Sequence, residues 1–228
     1  MFKRGHLVRR APIDPPPGVV VDQRLPFSRR RFLGAAAIVL ILSSLLVEAG
    51  RTRVVAATGP MFVQATGSTT KTRFAFPSPI TAGNLLVAGI TTNDGGTDPI
   101  TGVSDNLNGA WTKLTSLRYG NGHVELYYFA GTAGGPATVT FAGPQGAFTL
   151  AEYSGVQVSG AVDQFASRSS SSSTPTAGPT AVIGGSGELL VGIGGDPAPS
   201  SSATQFTAGT GFTIRAQAAV SFVEANGM

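Results

Sequence analysis

The sequence predicts an all-β fold, an antiparallel β-sandwich, and three observations carry that prediction. Residues 61–228 are a succession of short apolar or alternating runs, each broken by Gly, Pro, Asn or Asp. Glycine (31 residues) and proline (15) are abundant and charged residues make up only 12%, while the 3.6-residue rhythm of amphipathic helices is missing from this stretch. One eight-residue segment is also written almost twice: "GNLLVAGI" at 83–90 returns as "GELLVGIG" at 187–194.

At the front, residues 1–27 ("MFKRGHLVRRAPIDPPPGVVVDQRLPF") are basic, proline-rich and aperiodic, and are expected to be disordered. Residues 28–57 have the anatomy of a secretory signal. Three arginines, Arg29 to Arg31, precede the apolar run Leu33–Val47, and the small residues Val55, Ala56 and Ala57 offer a cleavage point. As a helix the run would measure about 22 Å, short of the roughly 30 Å hydrocarbon core. One short apolar helix is therefore expected, serving as a signal peptide or, if uncut, as a membrane anchor through residues 33–47. "SRRRFL" at 28–33 resembles the twin-arginine export motif, departing from it only at Gly34, where lysine is frequent. Either route places the remainder outside the cytoplasm, in the extracellular space or the cell envelope.

Charge divides at the same boundary. Residues 1–53 hold ten Lys/Arg against three acids, net +7, and residues 54–228 hold six against nine, net −3. The basic character belongs to the leader. Nucleic-acid binding needs a basic stripe on the folded part, so no nucleic-acid partner is expected. There is no cysteine, which excludes disulfides, thiolate nucleophiles and cysteine-ligated metals.

Residues 58–228 are expected to be the sandwich. Its strands are "FVQAT" (62–66), "TRFAF" (72–76), "NLLVAGITT" (84–92), "WTKLTSLRY" (111–119), "HVELYYFA" (123–130), "ATVTFA" (137–142) and "AFTLAEYSGV" (147–156). They continue with "AVDQFAS" (161–167), "ELLVGIG" (188–194), "FTIRAQ" (212–217) and "AVSFVEA" (219–225). In "ATVTF" Ala137, Val139 and Phe141 face one way and Thr138 and Thr140 the other; in "FTIRAQ" Phe212, Ile214 and Ala216 oppose Thr213, Arg215 and Gln217. Asn108-Gly109 and Asn121-Gly122 supply tight-turn chemistry, and the serine-rich 167–179 reads as a surface connection.

The repeated segment lacks alternation. A strand apolar on both faces sits centrally in a covered sheet, so two of them predict two sheets, each with its own central member, facing across one core. The likeness extends from "GAWTKL" to "GTGFTIR" and from "VELYYFAG" (124–131) to "VSFVEANG" (220–227), which predicts two related halves. In the first half two more strands follow "VELYYFAG"; in the second nothing follows "VSFVEANG" but Met228. The sandwich is accordingly expected to lack its last strands, leaving a C-terminal edge open to strand addition.

"ITAGNLLVAGI", "VSDNLNGAWTKL", "ELYYFAG", "ATVTFA" and "LAEYSGV" together resemble a family of secreted bacterial β-sandwich modules of the jelly-roll-like kind, found in poorly characterised cell-surface proteins. The resemblance implies fold and export and no activity. Tandem immunoglobulin-like sandwiches are the alternative architecture.

Candidate chemistry is sparse. His123 is the one histidine of residues 58–228, and no "GxSxG" elbow accompanies it, so it is expected at a surface or hairpin position. Glu125, Glu152, Asp163, Glu188 and Glu224 are scattered over strands and are expected to be solvated. Asn93, Asp94, Asp98, Asp105, Asn106 and Asn108 could offer oxygens to calcium, but they lack the EF-hand ladder and also suit turns. Trp111, Tyr119, Tyr127 and Phe129 could form a platform for sugar rings, with core packing as the competing role. No catalytic, cofactor or metal residue is assigned and no cofactor is expected. The functional expectation is an exported non-enzymatic module for surface binding or envelope structure, with a glycan or cell-surface ligand as partner. The alternatives are an extracellular hydrolase of carbohydrate or peptide, and a structural subunit that self-assembles through an open edge strand.

Overall fold

The computed structural model describes residues 35–42, 59–93, 95, 100–172, 174, 176–182, 187–196, 206–218 and 221–227. Fourteen strands and no helix are found among them. In chain order they are β1 (Ala35–Leu42), β2 (Met61–Ser68), β3 (Arg73–Ala75), β4 (Leu85–Asn93), β5 (Gly102–Asp105), β6 (Gly109–Ala110) and β7 (Thr112–Tyr119). The remainder are β8 (Gly122–Ala130), β9 (Thr138–Ala142), β10 (Gly146–Ser154), β11 (Val162–Ser170), β12 (Leu189–Gly195), β13 (Thr213–Ala218) and β14 (Ser221–Gly227).

All pairings are antiparallel, within three sheets. The central sheet runs β2-β10-β4-β8-β7, the repeat sheet β11-β1-β12-β14-β13, and a small outer sheet β3-β9-β5-β6. The central sheet alternates its residues between two cores. Leu85 and Val87, Val124 and Leu126, and Ala151 and Tyr153 share one cluster with Leu189, Val191 and Ile193 of β12. Leu86, Ala88 and Ile90, Tyr127, and Phe148 and Leu150 share the other with Val103, Val139 and Phe141 of the outer sheet. Burial on both faces is why β4 reads as an uninterrupted apolar run.

The expected antiparallel sandwich is therefore present, and the twin segments are its two central strands. The outer sheet adds a second core that periodicity did not announce, because β5 and β6 are too short, at "GVSD" and "GA", to register as alternating runs. Two turns differ in detail. The β7–β8 loop is Gly120-Asn121, one residue ahead of the expected Asn121-Gly122, since Tyr119 pairs with Gly122 and Gly120 supplies the positive φ (56°). Arg168 to Ser170, expected in a loop, continue β11.

At the front, residues 35–42 form β1, and the rest of the run expected as one short apolar helix lies outside the described residues. A short apolar run satisfies either periodicity, and a sheet with an available ladder decides between them. Residues 33, 34 and 43–47 of that run, the basic stretch 1–27 and the arginine motif at 28–33 lie outside the described residues. Among the described residues no helix is long and apolar enough to cross a membrane.

The two five-stranded sheets match in register as well as in order. Leu85 pairs with Tyr153 and Gln64 with Glu152 in one; Leu189 pairs with Leu42 and Gln164 with Ile41 in the other. A bulge falls between Glu152 and Tyr153, and its counterpart between Ile41 and Leu42. The hairpins repeat this, with bulges between Lys113 and Thr115 and between Ile214 and Ala216. The C-terminal strand is not an edge: β14 lies between β12 and β13, and the sheet ends at β11 and β13.

Candidate functional site

Polar side chains of the central sheet collect on the face turned to the outer sheet, because Glu125 and Glu152 share strand parity with Tyr127 and with Phe148 and Leu150. Both carboxylates are fully buried, as is Glu188 at 2% exposure, so the expectation of solvated acids is corrected at these three positions. Asp163 is half-buried. The side chain of Glu224 lies outside what is described.

Glu152 is a three-donor acceptor. It takes Gln64 Nε2 at 2.6 Å, the Thr81 backbone N–H at 2.7 Å and Asn84 Nδ2 at 2.6 Å. Gln64 extends the latch, donating to Ser78 O at 3.1 Å and accepting the Ser78 N–H at 2.9 Å. The carboxylate thereby ties the connection between β3 and β4 to the end of the sheet, and its desolvation is offset by charge-assisted bonds.

Glu125 is the centre of a second cluster. Its Oε1 accepts Ser116 Oγ at 2.8 Å and Lys113 Nζ at 3.3 Å, while its buried Oε2 has no hydrogen-bond partner among the described residues. Lys113 Nζ also donates to Ile100 O at 2.7 Å, Tyr127 donates its hydroxyl to the same oxygen at 2.8 Å, and the ammonium stands 5.1 Å from the Tyr127 ring centroid. Burial, and then the neighbouring Glu125 charge, push the Tyr127 hydroxyl well above its ordinary pKa.

Asp105 organises the β5–β6 turn. Oδ1 accepts the Leu107 and Asn108 N–H groups at 2.7 and 2.8 Å, and Oδ2 accepts Trp111 Nε1 at 2.6 Å. Asn106 spans to Pro136 O and the Thr138 N–H, and Asn108 Oδ1 accepts the Ala133 N–H. Asp105, Asn106 and Asn108 therefore aim oxygens at donors of the fold, which is the turn role; Asp94 and Asp98 lie outside the described residues. No group of three or more His, Cys, Asp or Glu able to hold a metal occurs among the described residues.

The geometry bears on hydrolytic chemistry. Glu125 lies in line with Ile90 and Phe148 across β8, β4 and β10, and Glu152 is four residues further along β10. Strand spacing puts the two acids roughly 16 Å apart, beyond the roughly 5–9.5 Å that glycoside hydrolysis needs. Ser116 donates directly to Glu125, so the two do not reproduce the serine, histidine and acid order of a triad. His123 stands second in β8, opposite Arg118, at a hairpin position but buried at 8% exposure. Trp111 is the buried anchor of its hairpin. Tyr127 is buried, Phe129 packs on the same core, and Tyr119 packs on the other, so the four aromatics do not form one platform. The participation of Lys113, Ser116, Gln64 and Asn84 was not anticipated; a glutamate sharing parity with apolar and aromatic residues was the available signal.

A buried phenol supplies a test of the inter-sheet core. Tyr153 is fully enclosed and its hydroxyl has no partner among the described residues, while Arg215 lies over Phe62 at 4.5 Å and Phe62 meets Tyr153 edge-on at 6.0 Å. Tyr153→Phe is expected to stabilise the protein by about 1 kcal/mol in urea unfolding at neutral pH, since it removes an unsatisfied group and no bond. Burial raises the Tyr153 pKa, partly opposed by Arg215, so the folded state keeps its proton when the unfolded chain ionises near pH 10. The unfolded state then binds fewer protons, and stability is constant below about pH 10 and falls above it. That alkaline slope should be shallower in both Tyr153→Phe and Tyr127→Phe.

Comparison of the chain with protein-family models, with curated proteins and with solved structures finds no match.

Proposed function

We propose that the protein is an exported, non-enzymatic β-sandwich module of the jelly-roll-like kind that works in the cell envelope by binding a surface ligand such as a glycan. The observation that carries this reading is the division of the chain: a leader of net +7 with "SRRRFL" and an apolar run, joined to a body of net −3 without cysteine. The buried acids support the non-enzymatic part, because the carboxylates of Glu152 and Asp105 are engaged by N–H donors that fasten loops. The leader is cut or, in an uncut chain whose residues 35–42 stand outside the sheet, holds the module at the membrane through residues 33–47.

Export is tested by expressing the full chain with a C-terminal tag in a bacterial host and fractionating the cells. The tagged protein should leave the cytoplasm, and changing Arg29→Lys together with Arg30→Lys should hold it back if the twin-arginine route is used. Wild-type protein confined to the cytoplasm overturns the reading. A glycan array probed with the purified chain tests the ligand class.

A further inference from the structure

The place that β10 fills in the central sheet, between β2 and β4, is filled in the repeat sheet by β1, between β11 and β12. The two occupants come from different parts of the chain: β10 follows β8 and β9, whereas β1 precedes every other described element. Yet β1 reproduces β10 in register, down to the bulge between its last two residues. The surrounding strands therefore define the position, and the occupant is recognised by its backbone ladder.

We propose that the gap between β11 and β12 is a strand-acceptor site whose fitting partner is a short, uncharged, apolar segment, and that residues 35–42 of the leader are that segment, a separable donor strand. The sequence "AAAIVLIL" has this chemistry. It pairs on both sides, Val39 facing Ala166 of β11 and Gly192 of β12. Because β1 is antiparallel to both neighbours, β11 and β12 run parallel to each other. Closing the gap without a donor would force a parallel ladder and move β12 out of its seat over β4. An empty gap would leave two facing rows of unpaired backbone groups, which is the condition for strand addition. The proposal rests on the export reading in one respect only: a leader removed before the body folds would leave the site open.

A site-specific protease sequence inserted into the 43–58 connection of the full chain tests it. After cleavage the N-terminal piece should stay with the remainder through gel filtration and part from it only in denaturant. Because the chain has no cysteine, the pairs Ile38→Cys with Ser167→Cys and Val39→Cys with Ala166→Cys report the register directly. One of these adjacent pairs has the geometry for a disulfide and should close under mild oxidation. A disulfide between two copies, a strand exchange, equally supports an acceptor site. Val39→Pro should lower the melting temperature of the uncut chain by about 10 °C, through a lost ladder bond and ring clash. If the cut piece departs and the remainder loses stability or self-associates, the site needs a donor and the proposal stands. If the piece departs with no change in the remainder's melting temperature or size, or neither cysteine pair closes, the proposal is overturned. Fractionation showing a cytoplasmic protein would overturn export and leave these results unaffected.

Discussion

Glu152→Ala is expected to lower the free energy of unfolding by about 4 kcal/mol, the range for deleting one partner of a buried charged network. Three donors converge on this carboxylate, from Gln64, Thr81 and Asn84, and all three would be left facing a void at a site with no exposure. Glu152→Gln keeps the volume and one acceptor oxygen but turns an NH2 group toward a donor, so about 2 kcal/mol is expected. Gln64→Ala should cost less than Glu152→Ala, because Thr81 and Asn84 keep their acceptor. Urea midpoints for the three variants check the order, and equal stability of Glu152→Ala and the parent would remove the latch from the account. Since total stabilities are about 5–15 kcal/mol, Glu152→Ala could leave little folded protein. The glutamine variant keeps the test readable.

Gly89→Val is expected to cost about 3 kcal/mol or more through overpacking between the central and repeat sheets. A Cβ at this position would stand 2.7 Å from Thr149 Oγ1 and 3.1 Å from Ile193 Cγ2. Thr149 cannot swing away freely, because its hydroxyl donates to Gly89 O at 3.2 Å, and Ile193 is buried at 1% exposure. The valine would push β12 off β4 at the point where the two central strands approach. Gly102→Ala is the control: its Cβ meets nothing within 4 Å, so stability should be unchanged or slightly raised. Thermal and urea unfolding of the two variants separates a close approach of sheets from a general preference for glycine.

The interior of the sandwich was legible from particular letters. "ATVTF" announced Ala137, Val139 and Phe141 as one buried face, and they are 2%, 0% and 2% exposed. "FTIRAQ" was less faithful, since the bulge between Ile214 and Ala216 interrupts its alternation and carries Arg215 over Phe62. Glu125, Glu152 and Glu188 were misjudged as solvated. Charge argues for water when each residue is taken singly, and nothing in "LAEYS" says that a glutamine on β2 and an asparagine before β4 arrive within hydrogen-bond reach. Asp105 takes the turn role that competed with calcium in the sequence, and no local pattern chose between them, because a carboxylate that caps its own turn has the same spelling as one that holds a cation.

What the amino-acid order determined by itself is whatever depends on near neighbours. That covers most of the longer strands, which of their faces are apolar, the approximate places of the glycine turns, and that "GNLLVAGI" and "GELLVGIG" are covered on both sides. Tertiary structure alone decided what depends on distant partners. It set the outer sheet against the second face of β4, folded Glu125 and Glu152 inside, and made a strand of residues 35–42 by setting them between β11 and β12. The physical reason is that side-chain alternation is a property of one strand, whereas a ladder position and a buried charge's donors are supplied by other strands, whose arrival no local pattern records.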